Sequence, residues 1–86
     1  MEIAYSKTAE EDIEYWKTSG NVAIQQRISL LLKDIKEHPF WGIGKPEALR
    51  YNLSGFWSRR ITSEHRLIYK VEGELIVIIS CKFHYQ

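Results

Sequence analysis

From Leu67 onward, every odd-numbered position of this 86-residue chain except Gly73 is apolar. Leu67, Tyr69 and Val71 are followed by Leu75, Val77, Ile79, Cys81 and Phe83. Successive side chains of a strand point to opposite faces, so a period of two predicts strands with one face on a core. A slip of one residue would turn every apolar side chain outward, so the pattern also restricts the pairing. Directly opposed residues of an antiparallel pair share a face. Two odd-numbered sets therefore pack together when an odd-length loop joins them, barring a bulge. Glu72-Gly73-Glu74 predicts such a three-residue turn. The even residues then share the outer face: Arg66, Ile68 and Lys70 on one strand, and Ser80, Lys82 and His84 on the other. This register predicts Arg66 and His84 on one side of the sheet.

The first half of the chain has a different period. EIAY reads as a short strand, and Thr8 to Glu11 (TAEE) has the spacing of a capping box. Ala9, Ile13 and Trp16 then form one helical stripe, which Ser19-Gly20 ends. Asn21 is placed to cap a second helix with the stripe Ile24, Ile28, Leu31, Leu32 and Ile35, stopped by Pro39. PFWGIGKPE follows as a loop. Its GIGK fragment lacks the spacing of a phosphate loop and no strand precedes it. FWSRRIT, HRLIYKV and ELIVIISCKFHY then carry strand signals. The expected fold is α+β, with two N-terminal helices on a twisted antiparallel sheet, as one domain over residues 1–86.

Composition narrows the class. Apolar residues at 44% and charged residues at 27% describe an ordinary folded domain and exclude a disordered one. No apolar run approaches the ~20 residues of a membrane span, and the N-terminus turns acidic where a signal peptide is basic. One cysteine excludes an internal disulfide and suits the cytoplasm. His38, His65, Cys81 and His84 have no metal-ligand spacing, so neither a metal nor another cofactor is expected.

The net charge of +1 is unevenly spread. Residues 50–70 hold Arg50, Arg59, Arg60, Arg66 and Lys70 against Glu64 alone. Such a basic stretch suits a polyanion, although a solvated strand face would look the same. Metal-free RNA cleavage needs a base for the 2′-OH, an acid for the departing 5′-oxygen and cations for the phosphorane. Histidine suits the acid, glutamate can be the base, and the arginine fork suits phosphate. His84, Glu47, Arg66 and Arg60 are candidates for these roles. Their plainer readings are a sheet cap for His84, a solvated loop residue for Glu47 and a surface pair for Arg59-Arg60. His65 reads as turn chemistry. The residues by themselves define an α+β domain with a face suited to an anionic ligand.

One long stretch goes further. KPEALRYNLSGFWSRRITSEHRLIY, Lys45 to Tyr69, resembles the central motif of the YoeB/Txe toxins, a branch of the RelE-like ribonuclease superfamily. The terminal His84-Tyr85, Tyr15-Trp16 and the HPFWGIGKPE loop extend the resemblance over almost the whole chain. It implies a ribosome-dependent mRNA interferase that cuts in the ribosomal A site, without metal. It also implies neutralisation by a YefM/Axe-type antitoxin, operator binding only through that complex, and a homodimer. By motif, Glu47 matches the general base, Arg66 the phosphate-stabilising arginine, His84 the general acid, and Tyr85 a tyrosine that orders the site. Arg50, Arg59 and Arg60 fall at basic positions expected to bind substrate. Arg50 stands where lysine is frequent, and Gln86 extends one residue past the usual terminal tyrosine. Two other readings use the same residues: a non-catalytic module that binds RNA or the ribosome, and an operon co-repressor that acts only with its antitoxin.

Overall fold

The computed structural model describes residues 1–83. In chain order it contains β1 (Glu2–Tyr5), α1 (Lys7–Thr18), α2 (Val22–Glu37), β2 (Glu47–Ala48), a 3-10 turn (Tyr51–Leu53), β3 (Phe56–Arg60), β4 (Arg66–Glu72) and β5 (Leu75–Ser80). The strands form one sheet in the order β1-β5-β4-β3-β2. All neighbours are antiparallel except β1, which runs parallel to β5 at one edge. The two helices cover one face, as expected.

Both helices begin on a side-chain cap. Asn21 accepts the N–H of Ile24 at 3.1 Å, as its position predicts. For α1 the cap is Ser6, not a box starting at Thr8. The Ser6 hydroxyl accepts the N–H of Ala9 at 3.0 Å and donates to the carbonyl of Ile79 at 2.7 Å. The same hydroxyl thus starts the helix and ties it to β5.

The core lies between the helical stripes and the inner sheet face. Ala9, Trp16, Ile24, Ile28, Leu31 and Ile35 meet Leu67, Tyr69, Ile76, Ile78 and Cys81 there, with Ile13, Leu32, Trp57 and Val71 packed at its margin. Here the β5 register departs from expectation. Glu72 pairs with Leu75, which leaves a two-residue turn at Gly73-Glu74, and Tyr69 pairs with Ile78. Two-residue turns match the right-handed twist of the strands they join. The even residues Ile76 and Ile78 therefore face the core, and Leu75, Val77 and Ile79 are only partly buried. A bulge then inserts one residue, because the next pair is Ile68 with Ser80. It returns Cys81 to the core at 1% exposure. Phe83, expected inside, is 59% exposed.

The GIGK loop is glycine-rich for a packing reason. Gly42 has φ +127°, and a Cβ there would lie 2.0 Å from Asp34 Oδ2. At Gly44, φ is +79° and a Cβ would lie 2.8 Å from a Leu31 methyl. The loop closes on α2 and does not form a phosphate cradle.

Burial pushes the Cys81 thiol up to about 12, with the Asp12 carboxylate adding to it. The thiolate is the reactive form. Iodoacetamide at pH 8 should therefore label Cys81 only through opening of the fold, far more slowly than in denaturant. Mass spectrometry showing rapid native labelling would contradict this placement.

Candidate active site

The outer sheet face, away from the helices, carries Glu47, Arg60 and Arg66. Register across three strand pairs aligns Glu47 with Ser58, Ser58 with Ile68, and Ile68 with Ser80. Opposed residues share a face, so these four form one row. Ser58 and Ile68 are buried, at 7% and 2% exposure, and make the floor. Exposed Glu47 stands at the edge of the row. Two positions along the strands, Arg60 pairs with Arg66 on the same face. Diagonal neighbours on adjacent strands lie ~7–8 Å apart, which relates Glu47 to Arg60. An acid and two arginines thus rim a floor of small and aliphatic side chains. Glu47 was expected at a loop exit, but pairing with β3 makes it an edge-strand residue opposite Ser58.

The ion pairs among the described residues are Glu37–His38, Asp34–Arg59 and Lys70–Glu72. None engages Glu47, Arg50, Arg60 or Arg66. Arg66 Nη1 instead donates to the carbonyl of Thr62 at 2.9 Å, with longer contacts to Ser63 and His65. The Thr62–His65 turn therefore holds one arm of this guanidinium without neutralising it. Arg50 is exposed beside Glu47, lining one shallow cleft with Ala48 and Leu49.

Arg59 differs from its neighbour Arg60 in burial and in partners, and its expected role in substrate binding does not fit its position. It lies on the inner face with 0% exposure. Nε donates to the Tyr69 hydroxyl at 3.2 Å. Nη1 donates to Asp34 Oδ2 and to the Ile43 carbonyl. Nη2 donates to the carbonyls of His38 and Trp41. These contacts use all five donors of a guanidinium. The Tyr69 hydroxyl in turn donates to Pro39 O at 2.7 Å. Burial raises the Tyr69 pKa, against a lowering contribution from Arg59. Partial burial also pushes the Asp34 carboxyl up. Its bonds from Arg59 and the Ile43 N–H, with the nearby positive charges, outweigh that and hold it below the usual aspartate value. This cluster fastens the 38–43 loop to the sheet.

His84 and Tyr85, expected as acid and ordering tyrosine, lie outside the described residues, as does Gln86. Contacts from α1 and the Thr62–His65 turn hold the residues that precede them. β5 ends at Ser80, and Lys82 leaves the expected alternation: its Nζ sits 4.0 Å from the centre of the Tyr15 ring on α1. The Cys81 N–H donates to Asp12 Oδ2 at 2.9 Å, and its carbonyl accepts from Trp16 Nε1 at 2.9 Å. Phe83, at φ +59°, donates its N–H to His65 Nδ1 at 2.7 Å and accepts the Arg66 N–H at 2.9 Å. Residue 83 therefore lies against the backbone of Arg66, although not through the strand alternation that first placed the tail there. Asp12 and His65 were missed as tail contacts. Asp12 on the stripe side of an amphipathic helix was the available signal, since buried carboxylates need a partner.

The family described as YoeB-like toxin of bacterial type II toxin–antitoxin system matches residues 5–85. A toxin YoeB from Synechocystis is 50% identical over 86 residues, covering 100% of this chain and 99% of the relative. A YoeB/ParE toxin from Agrobacterium tumefaciens superposes with a TM-score of 0.94 at 38% identity, covering 99% of this chain and 100% of that one. The Staphylococcus aureus YoeB has been solved as a dimer, with TM-score 0.89 and 44% identity. It has also been solved in a heterotetrameric complex with YefM, with TM-score 0.88 and 44% identity; both structures cover 99% of this chain and 98% of theirs.

Proposed function

The chain belongs to the YoeB-like toxins of bacterial type II toxin–antitoxin systems, and on that footing we propose that it is an endoribonuclease that cuts mRNA on the ribosome. The carrying observation is the shared outer face of Glu47, Arg60 and Arg66, a base beside two cations around a recessed floor. The 2′-hydroxyl would lose its proton to Glu47 and attack the adjacent phosphorus. Arg66, with one arm held by the Thr62–His65 turn, would receive the equatorial phosphorane charge. Arg50 and Arg60 would hold flanking phosphates. His84 would protonate the 5′-oxygen as it leaves, with Tyr85 ordering that end of the site. No step in this scheme draws on a metal.

The reading makes a product-level prediction. Programmed ribosomes should yield a 5′-hydroxyl fragment and a partner ending in a 2′,3′-cyclic phosphate or its hydrolysed 3′-phosphate. A 2′-deoxy residue at the cut site should abolish cleavage, because the nucleophile is absent. End mapping that found 5′-phosphates would rule out this chemistry. A non-catalytic ribosome-binding module would leave the RNA intact, and a pure co-repressor would be harmless when expressed alone.

The antitoxin reading rests on the S. aureus complex and on Arg50, Arg60 and Arg66, which make no ion pair among the described residues. A YefM-type partner would lay acidic side chains against Arg50, Arg60 and Arg66, competing with RNA for the same cations. The same relative supports a homodimer, and operator binding would come only with the complex.

A further inference from the structure

We propose that His65 is a positioning residue that docks the C-terminal tail beside Arg66; this rests on the ribonuclease reading above. The Thr62–His65 turn touches both ends of the tail problem. Its carbonyls hold the Arg66 guanidinium, and its last residue holds the tail. His65 Nδ1 accepts the Phe83 N–H at 2.7 Å, so the ring proton belongs on Nε2. The Arg66 N–H closes the other side of residue 83 at 2.9 Å. Phe83 immediately precedes His84, and consecutive Cα atoms are ~3.8 Å apart. The dock therefore acts on the residue to which the candidate acid is joined in the chain.

The imidazole is itself braced. Its ring meets Trp16 edge-on at 4.8 Å and tilts against Phe83 at 5.2 Å. Trp16 is buried and bonded to the Cys81 carbonyl, so the brace reaches the same tail two residues earlier. Phe83 sits at φ +59°, a left-handed conformation that costs a non-glycine residue ~1–3 kcal/mol. Its two backbone bonds to residues 65 and 66 offset that cost. Without the Nδ1 acceptor, only the Arg66 N–H among these two bonds still holds the backbone of residue 83 in its left-handed conformation.

The test compares wild type, His65→Phe and His65→Asn on programmed ribosomes in single turnover, at saturating ribosome and well below each melting temperature. Phe keeps an aromatic edge against Trp16 but removes the acceptor. Asn restores a short acceptor. Cleavage by His65→Phe should fall at least tenfold, since a misplacement of ~1 Å can cost ~10²-fold, with ribosome affinity unchanged. His65→Asn should recover part of that loss. Full activity in His65→Phe, or a loss explained entirely by weaker binding, would overturn the proposal. Amide exchange of the wild-type protein gives a second readout that does not depend on any variant folding. The Phe83 N–H should be protected despite the exposure of its side chain, and free exchange there would equally overturn the assignment. A wild type that cuts nothing under these conditions would refute the ribonuclease reading instead, with Phe83 protection still reporting on the dock.

Discussion

Arg59→Ala should unfold this protein at temperatures where Arg60→Ala leaves it intact. The guanidinium of Arg59 is fully buried and donates to Asp34, Tyr69 and three carbonyls of the 38–43 loop. Truncating it leaves Asp34 without its countercharge and those acceptors without donors. Breaking a fully buried pair costs about 3–5 kcal/mol. Asp34 keeps 19% of its side chain exposed, which lowers that figure, while each buried acceptor left without a donor adds ~1–3 kcal/mol. A domain of this size has ~4–13 kcal/mol in total, and each kcal/mol moves Tm by ~4–8 °C. A calorimetric drop of tens of degrees is expected. Arg59→Lys should recover little, because one ammonium cannot supply five donors in a planar fork. Arg60 is exposed, and its replacement should stay within ~0.5 kcal/mol. Similar melting curves for the two variants would refute the assignment. The cluster also sets an acid limit. Asp34 has a lowered pKa in the fold, so its contribution is complete above the unfolded aspartate value of ~3.9. That contribution disappears as pH falls through the lowered folded value.

The second large effect concerns the reaction. His84→Gln should reduce single-turnover cleavage by ~10²–10⁴, the range for a lost proton-transfer group. Glutamine keeps a donor but cannot release a proton to the leaving oxygen. Glu47→Gln should cost a similar factor and leave melting unchanged, because Glu47 is exposed on the two-residue edge strand β2. Arg66→Ala should lose ~10²–10³, as an oxyanion donor would. A near-normal rate for His84→Gln would remove His84 from the acid role. A near-normal rate for Glu47→Gln would do the same for the base.

Much of the scaffold was legible because it is local. The stripe Ile24, Ile28, Leu31 and Ile35 is buried as its helical period requires, and Asn21 caps the helix it precedes. The alternation of Leu67, Tyr69 and Val71 gave β4 its inner face. Tyr69 and Leu67 are indeed fully buried. The candidates Glu47, Arg60 and Arg66 came from residue chemistry and from a resemblance long enough to be specific. Their shared face follows from pairings with a parity that the short β2 strand did not announce.

What the sequence could not settle was which of two equivalent-looking residues the fold would use. Arg59 and Arg60 are neighbours with the same side chain. One strand position turns Arg59 inward, onto an Asp34 that lies 25 residues earlier, and Arg60 outward. Alternation in β5 is similarly ambiguous, because six consecutive apolar-rich positions satisfy either parity. The two-residue turn chose Ile76 and Ile78, and the bulge then restored Cys81. The tail contacts link residues far apart in the chain: Asp12 to Cys81 across 69 positions, and His65 to Phe83 across 18. A hydrogen bond of that kind leaves no period in the sequence. It exists only once burial of Trp16 and closure of the sheet have brought both partners to one corner.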